Sequence, residues 1–305
     1  MPRLLRIGAV LIVVCFAVIF TACGSEFDAT KRMAEQGNAE AQYNLGGMYY
    51  KGEGVAQSNA EAVKWSRLAA EQGHPEAQYA LGDMYRKGQG VAQSYTEAMK
   101  WWRLAADQGL AGAQYDLGVM YAYGQGVAKS DTEAVKCFRL AAEQGHANAQ
   151  FNLGLMYFKG QGVKRSVTEA EKWFRLGAEQ GLAEAQFALG LMYEKGHGVG
   201  KSSIEAAKWW RLAAEQGHAS AQEKLGGLFF TGDGVGKNDV EAVKWFRLAA
   251  EQGEAHAQFL LGFMYINGLG VDKSYSNAKQ WFLLAADQGH AQAKRYLNAM
   301  SYDGY

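Results

Sequence analysis

The residues best suited to chemistry recur at fixed intervals. His74, His146, His218 and His290 stand 72 residues apart, and imidazole sets are common metal ligands. Gly-x-Gly-Val recurs at Gly52, Gly88, Gly124, Gly160, Gly196, Gly232 and Gly268, and glycine-rich turns can cradle phosphate. Cys137 is a lone thiol, and Arg67-type and Glu71-type residues stand four apart on one strip of chain. Regularity argues against each chemistry in turn. A metal needs ligands at about 2 Å, whereas packed helices lie about 8–10 Å apart. Histidines separated by four helices cannot share an ion, so they are expected as polar groups at the turn into a helix. His197 and His256 stand alone. A phosphate cradle needs a strand before the glycines; here a helix precedes them, and seven copies mark a structural turn. Cys137 replaces the Trp found at 65, 101, 173, 209, 245 and 281, so it reads as a small buried hydrophobe. The arginine and glutamate have the spacing of a surface ion pair. Neither a metal nor a cofactor is expected.

The elements beneath these residues repeat every 36 positions, as the glycines Gly37, Gly73, Gly109, Gly145, Gly181, Gly217, Gly253 and Gly289 show. A period of this size marks a solenoid whose units contact their neighbours. Within one unit, Ala41, Leu45, Met48, Tyr49 and Gly52 follow helical spacing and define helix A, from about Ala39 to Lys51. Gly52 suits a left-handed cap. Ser58-x-x-Glu61 opens helix B as a capping box, with the serine accepting from the third amide and the glutamate reaching back. Helix B ends at Gly73, and Pro75 is well placed to begin the next helix A. Gly46 and its equivalents lie inside helix A at a cost of about 1 kcal/mol each. That cost implies close approach by the large aromatics of helix B.

Lys and Arg number 31, as do Asp and Glu, and no basic stripe suggests nucleic acid. Residues 1–22 have the basic start, apolar run and small-residue end of a secretory signal. Phe20-Thr21-Ala22-Cys23 resembles a bacterial lipobox, which implies lipidation of Cys23 and a membrane anchor. An ordinary cleaved signal and an uncleaved anchor remain alternatives. Gly24 after the cysteine favours an outer-membrane lipoprotein, and the expected location is the cell envelope, either as an outer-membrane lipoprotein or in the periplasm.

The consensus A-x-A-Q-x-x-L-G-x-M-Y-x-x-G-x-G-V, followed by A-x-K-W-x-R-L-A-A-E-Q-G, closely resembles the Sel-1-like repeat family. The resemblance implies an all-α fold, a right-handed αα-solenoid superhelix of seven repeats with half-repeat caps. The organisation expected is a signal at 1–22, a tether and half-helix cap at 23–38, repeats at 39–292, and a capping helix and tail at 293–305. The family implies a non-catalytic adaptor whose partners are other proteins, of the envelope or of a host. A weak β-lactamase-like or cell-wall hydrolase is the alternative, but the paired cysteines of such relatives are missing here. Positions 44 and 47 of helix A vary while their surroundings stay constant, which marks either a specificity surface or a tolerant solvent face. This stripe becomes apolar towards the C-terminus at Leu155, Leu191, Leu260, Phe263 and Tyr296. These residues are expected to face away from the core and to bind a partner.

Overall fold

The computed structural model describes residues 26–302, so the expected signal segment and Cys23 lie outside the described residues. The chain divides into two compact units, one ending at His146 and the other beginning at Ala147. The first holds a helix at residues 26–35 (α1), then α2 (Ala39–Lys51), α3 (Asn59–Glu71), α4 (Pro75–Lys87), α5 (Tyr95–Asp107), α6 (Ala111–Tyr123) and α7 (Asp131–Glu143). The second holds α8 (Ala147–Lys159), α9 (Val167–Glu179), α10 (Ala183–Lys195), α11 (Ser203–Glu215), α12 (Ala219–Thr231), α13 (Asp239–Glu251), α14 (Ala255–Asn267), α15 (Tyr275–Asp287) and α16 (Ala291–Tyr302). Even-numbered helices are helix A of a repeat and odd-numbered ones helix B. Within each unit every helix packs on the next, as an αα-solenoid requires.

The caps explain where the helices stop. Gly52 sits at φ +77° and sends its N–H to the Met48 carbonyl. Ser58 accepts from the Glu61 amide at 3.3 Å. The reciprocal half of the expected capping box does not form. The Ser58 N–H donates instead to the Tyr49 carbonyl at 2.9 Å, and Ser94, Ser130, Ser166, Ser202 and Ser274 do the same to the equivalent tyrosines. With the cap amide already paired across the loop, Glu61 is left to meet Lys64 at 3.2 Å. Glu97–Lys100, Glu133–Lys136 and Glu205–Lys208 repeat that exchange.

Helices A and B approach closely at the interior glycine, as the sequence implies. A Cβ added at Gly118 would stand 2.6 Å from the Phe138 ring, and one at Gly154 or Gly262 would stand 2.7 Å from Phe174 or Phe282. Only hydrogen fits there.

A polar ladder crosses the apolar core. Gln78, 4% exposed, donates from Nε2 to the Ala70 carbonyl at 3.1 Å and accepts from Gln108 at 2.8 Å. It thereby joins the end of one helix B to the end of the next. Gln42, Gln114, Gln186, Gln222 and Gln258 make the same two bonds. Buried amides need such partners, because an unpaired one costs about 1–3 kcal/mol. The arginines also tie repeats together, where an ion pair with the Glu71 type was expected. Arg67 donates to the Tyr85 hydroxyl, and Arg103, Arg175 and Arg247 reach Tyr121, Tyr193 and Tyr265 at 2.9 Å.

Candidate binding surface

The recurrent histidines lie at the turn into helix A, where the sequence reading put them. His74 Nδ1 accepts from the Ala77 amide at 3.3 Å, and His218 and His290 cap α12 and α16 in the same way. Their rings stack on the aromatic residue of the preceding helix A. Centroid distances are 4.9 Å for Tyr43–His74, 4.7 Å for Tyr115–His146, 4.6 Å for Phe187–His218 and 4.7 Å for Phe259–His290. A cap of this kind needs a neutral ring, since an imidazolium has no acceptor nitrogen. Burial pushes the His146 and His290 pKa values below the ordinary one, and His256 adds to the effect at His290. Cys137 is partly buried, and burial pushes its thiol up to about 11. Among the described residues, no group of three or more His, Cys, Asp or Glu is arranged to hold a metal ion.

The side of helix A that does not touch helix B carries the variable stripe, and its character differs between the units. In the first unit it carries Asn44, Asp83 and Asp116 beside Ala80 and Val119. The Tyr79 hydroxyl donates to Asp116 at 2.8 Å, and Asp83 pairs with Arg86 at 2.6 Å and with Lys87 at 2.5 Å. Burial raises the pKa values of both Tyr79 and Asp116, and the Asp116 charge raises that of Tyr79 further.

In the second unit the stripe is mostly apolar, interrupted by Asn152 and Lys224, but it does not stand clear of the core. Leu155 packs on the α9–α10 core and Leu191 on the next. Leu260 and Phe263 pack on the core between α11 and α14, and Tyr296 on the last cluster. All five are half-buried. The expectation that they face away from the core is therefore corrected. The cause is lateral. Phe263 meets Phe230 edge-on at 6.3 Å and Tyr296 edge-on at 6.3 Å, so the helices A on either side cover its flanks. Lys224 likewise reaches back to Glu194 at 3.2 Å.

A row of large apolar residues on helix B does stand in solvent. Leu68, Leu104, Leu140, Leu176, Leu212, Leu248 and Leu284 are each at least 36% exposed. They recur every 36 residues, and the period alone could have revealed them as one row.

Stacked helix pairs with structural histidines, structural glycine turns and a laterally packed helix-A face define an αα-repeat protein. The chain matches the family model of the Sel1 repeat at residues 39–74, 75–110, 111–146, 147–182, 183–218, 219–254 and 255–290. It belongs to the Sel1 repeat family. The crystal structure of a protective antigen from uropathogenic Escherichia coli strains, described as having an SLR fold, superposes with a TM-score of 0.89 at 39% identity. That match covers 92% of this chain and 60% of the antigen, so the chain spans under two thirds of that protein. A Sel1 repeat protein from Oxalobacter formigenes superposes with a TM-score of 0.74 at 36% identity, covering 92% of this chain and 81% of its own. Comparison with curated proteins finds no match.

Proposed function

We propose that this protein is a non-catalytic scaffold that binds other proteins through the helix-A side of its repeats and is tethered to the bacterial envelope through Cys23. The observation that carries the reading is the contrast within a single helix. Leu45, Leu81, Leu153, Leu189, Leu225 and Leu261 are fully buried and identical, while two positions on they are followed by Gly47, Asp83, Leu155, Leu191, Gly227 and Phe263, which retain exposure. An array that keeps its core constant and varies one half-exposed line fits recognition of polypeptides. The envelope tether rests on residues 1–23 of the sequence alone. Because the apolar residues of the stripe are structural as well, partner contact uses their exposed edges together with polar neighbours such as Asn152 and Lys224.

The test is site-specific photocrosslinking in cells. A crosslinker at Asn44 or Asn152 on helix A should capture a discrete protein partner, whereas one at Lys64 or Lys208 on helix B should not. Equal yields from both sides, or none from helix A, would refute the helix-A assignment. Replacing Cys23 by Ala should move the protein out of the membrane fraction; an unchanged distribution refutes the lipid tether.

A further inference from the structure

In six repeats the space beside the interior glycine of helix A is filled by one ring from helix B. The rings are Trp102, Phe138, Phe174, Trp210, Phe246 and Phe282, and each is at most 2% exposed. The first repeat has Ser66 at this position. A Cβ at Gly46 would find the Ser66 hydroxyl at 2.7 Å, where the other glycines find an aromatic ring. The rest of the ring volume is missing from α3.

A cleft of about 760 Å³ opens at this place, between α2 and α4 with α1 at its edge. Tyr43, Met48 and Met84 give it apolar lining, and Ser66, itself 2% exposed, also borders it. At its edge Lys51 pairs with Glu53 at 3.6 Å and Lys87 with Asp83 at 2.5 Å, and Glu26 adds one further carboxylate. The cleft thus offers an occupant both apolar side chains and a polar edge with little excess charge.

We infer that the first-repeat cleft, where Ser66 replaces the buried ring of the other repeats, binds an aromatic side chain, preferentially tryptophan, presented by a partner polypeptide. The other repeats show the fit. Trp102 donates its indole N–H to the Tyr79 carbonyl at 3.0 Å, and Trp210 donates to the Phe187 carbonyl at 3.2 Å. The corresponding carbonyl of the first repeat belongs to Tyr43, which lines the cleft. A single ring occupies a cavity of roughly 150 Å³. The larger volume leaves room for the flanking backbone, which is why the occupant is a chain segment and not a free aromatic molecule. This inference rests on the scaffold reading and adds the kind of side chain the scaffold takes.

The probes are the peptide Ala-Ala-Trp-Ala-Ala, its Leu counterpart, and free indole, each titrated into the full chain by calorimetry. The Trp peptide should bind saturably, at least tenfold more tightly than either of the others. Ser66→Trp and Ser66→Phe refill the space and should abolish binding while raising Tm, and Ser66→Ala should keep it. The inference is overturned by an absence of Trp-peptide binding, by equal binding to Ser66→Trp, or by indole binding as tightly as the peptide. Loss of helicity in both filled variants overturns it as well, because the space would not be there. Failed crosslinking with intact peptide binding counts against the scaffold reading and leaves the cleft standing; the reverse result counts against the cleft alone.

Discussion

Two adjacent glycines in α12 should respond to alanine in opposite ways. A Cβ at Gly226 would lie 2.7 Å from Cδ1 and 2.8 Å from Cε1 of Phe246, and 3.3 Å from the Ala242 carbonyl oxygen. Phe246 is fully buried and cannot retreat. A Cβ at Gly227 would meet nothing within 4 Å. Both substitutions gain the same helix propensity, about 1 kcal/mol, so it cancels in the comparison. What remains is the overpacking at Gly226, about 1–3 kcal/mol. Gly227→Ala should therefore stabilise by about 0.5–1 kcal/mol, and Gly226→Ala should fall about 1–3 kcal/mol below it. Urea unfolding followed by far-UV circular dichroism gives both values. Equal shifts for the two variants, in either direction, would refute the close-approach explanation of the helix-A glycine.

Three further outcomes are expected. Gln186→Ala removes the acceptor of Gln216 and the donor to the Ala178 carbonyl, so it should destabilise by about 1–3 kcal/mol; a Tm within error of wild type refutes the ladder's importance. His146 and His290 have pKa values lowered from 6.5 in the folded chain. The unfolded chain therefore binds protons first as pH falls, and the stability they contribute, present above about pH 6.5, is lost through the lowered folded values. Replacing both by Gln should flatten the fall in Tm between neutral and mildly acidic pH, and an unchanged pH profile refutes this. Cys137, with its thiol near 11, should react with a disulfide reagent at neutral pH far more slowly than a free thiol; reaction at the free-thiol rate refutes its burial as the cause.

Helix boundaries, caps and the glycine–aromatic contact were legible in the sequence because each is set within one repeat. Ser58, Gly52 and Gly46 have their partners inside their own helix pair. What could not be read depends on a loop path or on the neighbouring repeat. The Ser58 amide turns to Tyr49 across a loop whose path no local pattern gives. Arg67 passes over the nearby Glu71 for Tyr85 of the next repeat. The helix-A stripe was misjudged because of neighbouring repeats. A helical wheel drawn for one repeat shows Phe263 opposite the conserved core positions, yet Phe230 and Tyr296 lie 33 residues before and after it and cover its sides. The vacancy at Ser66 was legible in principle, since aligning the seven repeats sets a serine against six rings.

The glutamine ladder gives the chain a direction. Each helix-A glutamine reaches back to a carbonyl of the helix made just before it, Gln78 to Ala70 and Gln258 to Ala250. The bond each helix-A glutamine donates therefore needs only residues already translated, and each helix A can dock as it emerges. The helix B that follows then supplies Gln108 or Gln288 to the waiting amide oxygen. In α16 Lys294 occupies the glutamine position. Its ammonium has no acceptor to offer a helix B, so the amide-to-amide ladder does not continue through that position.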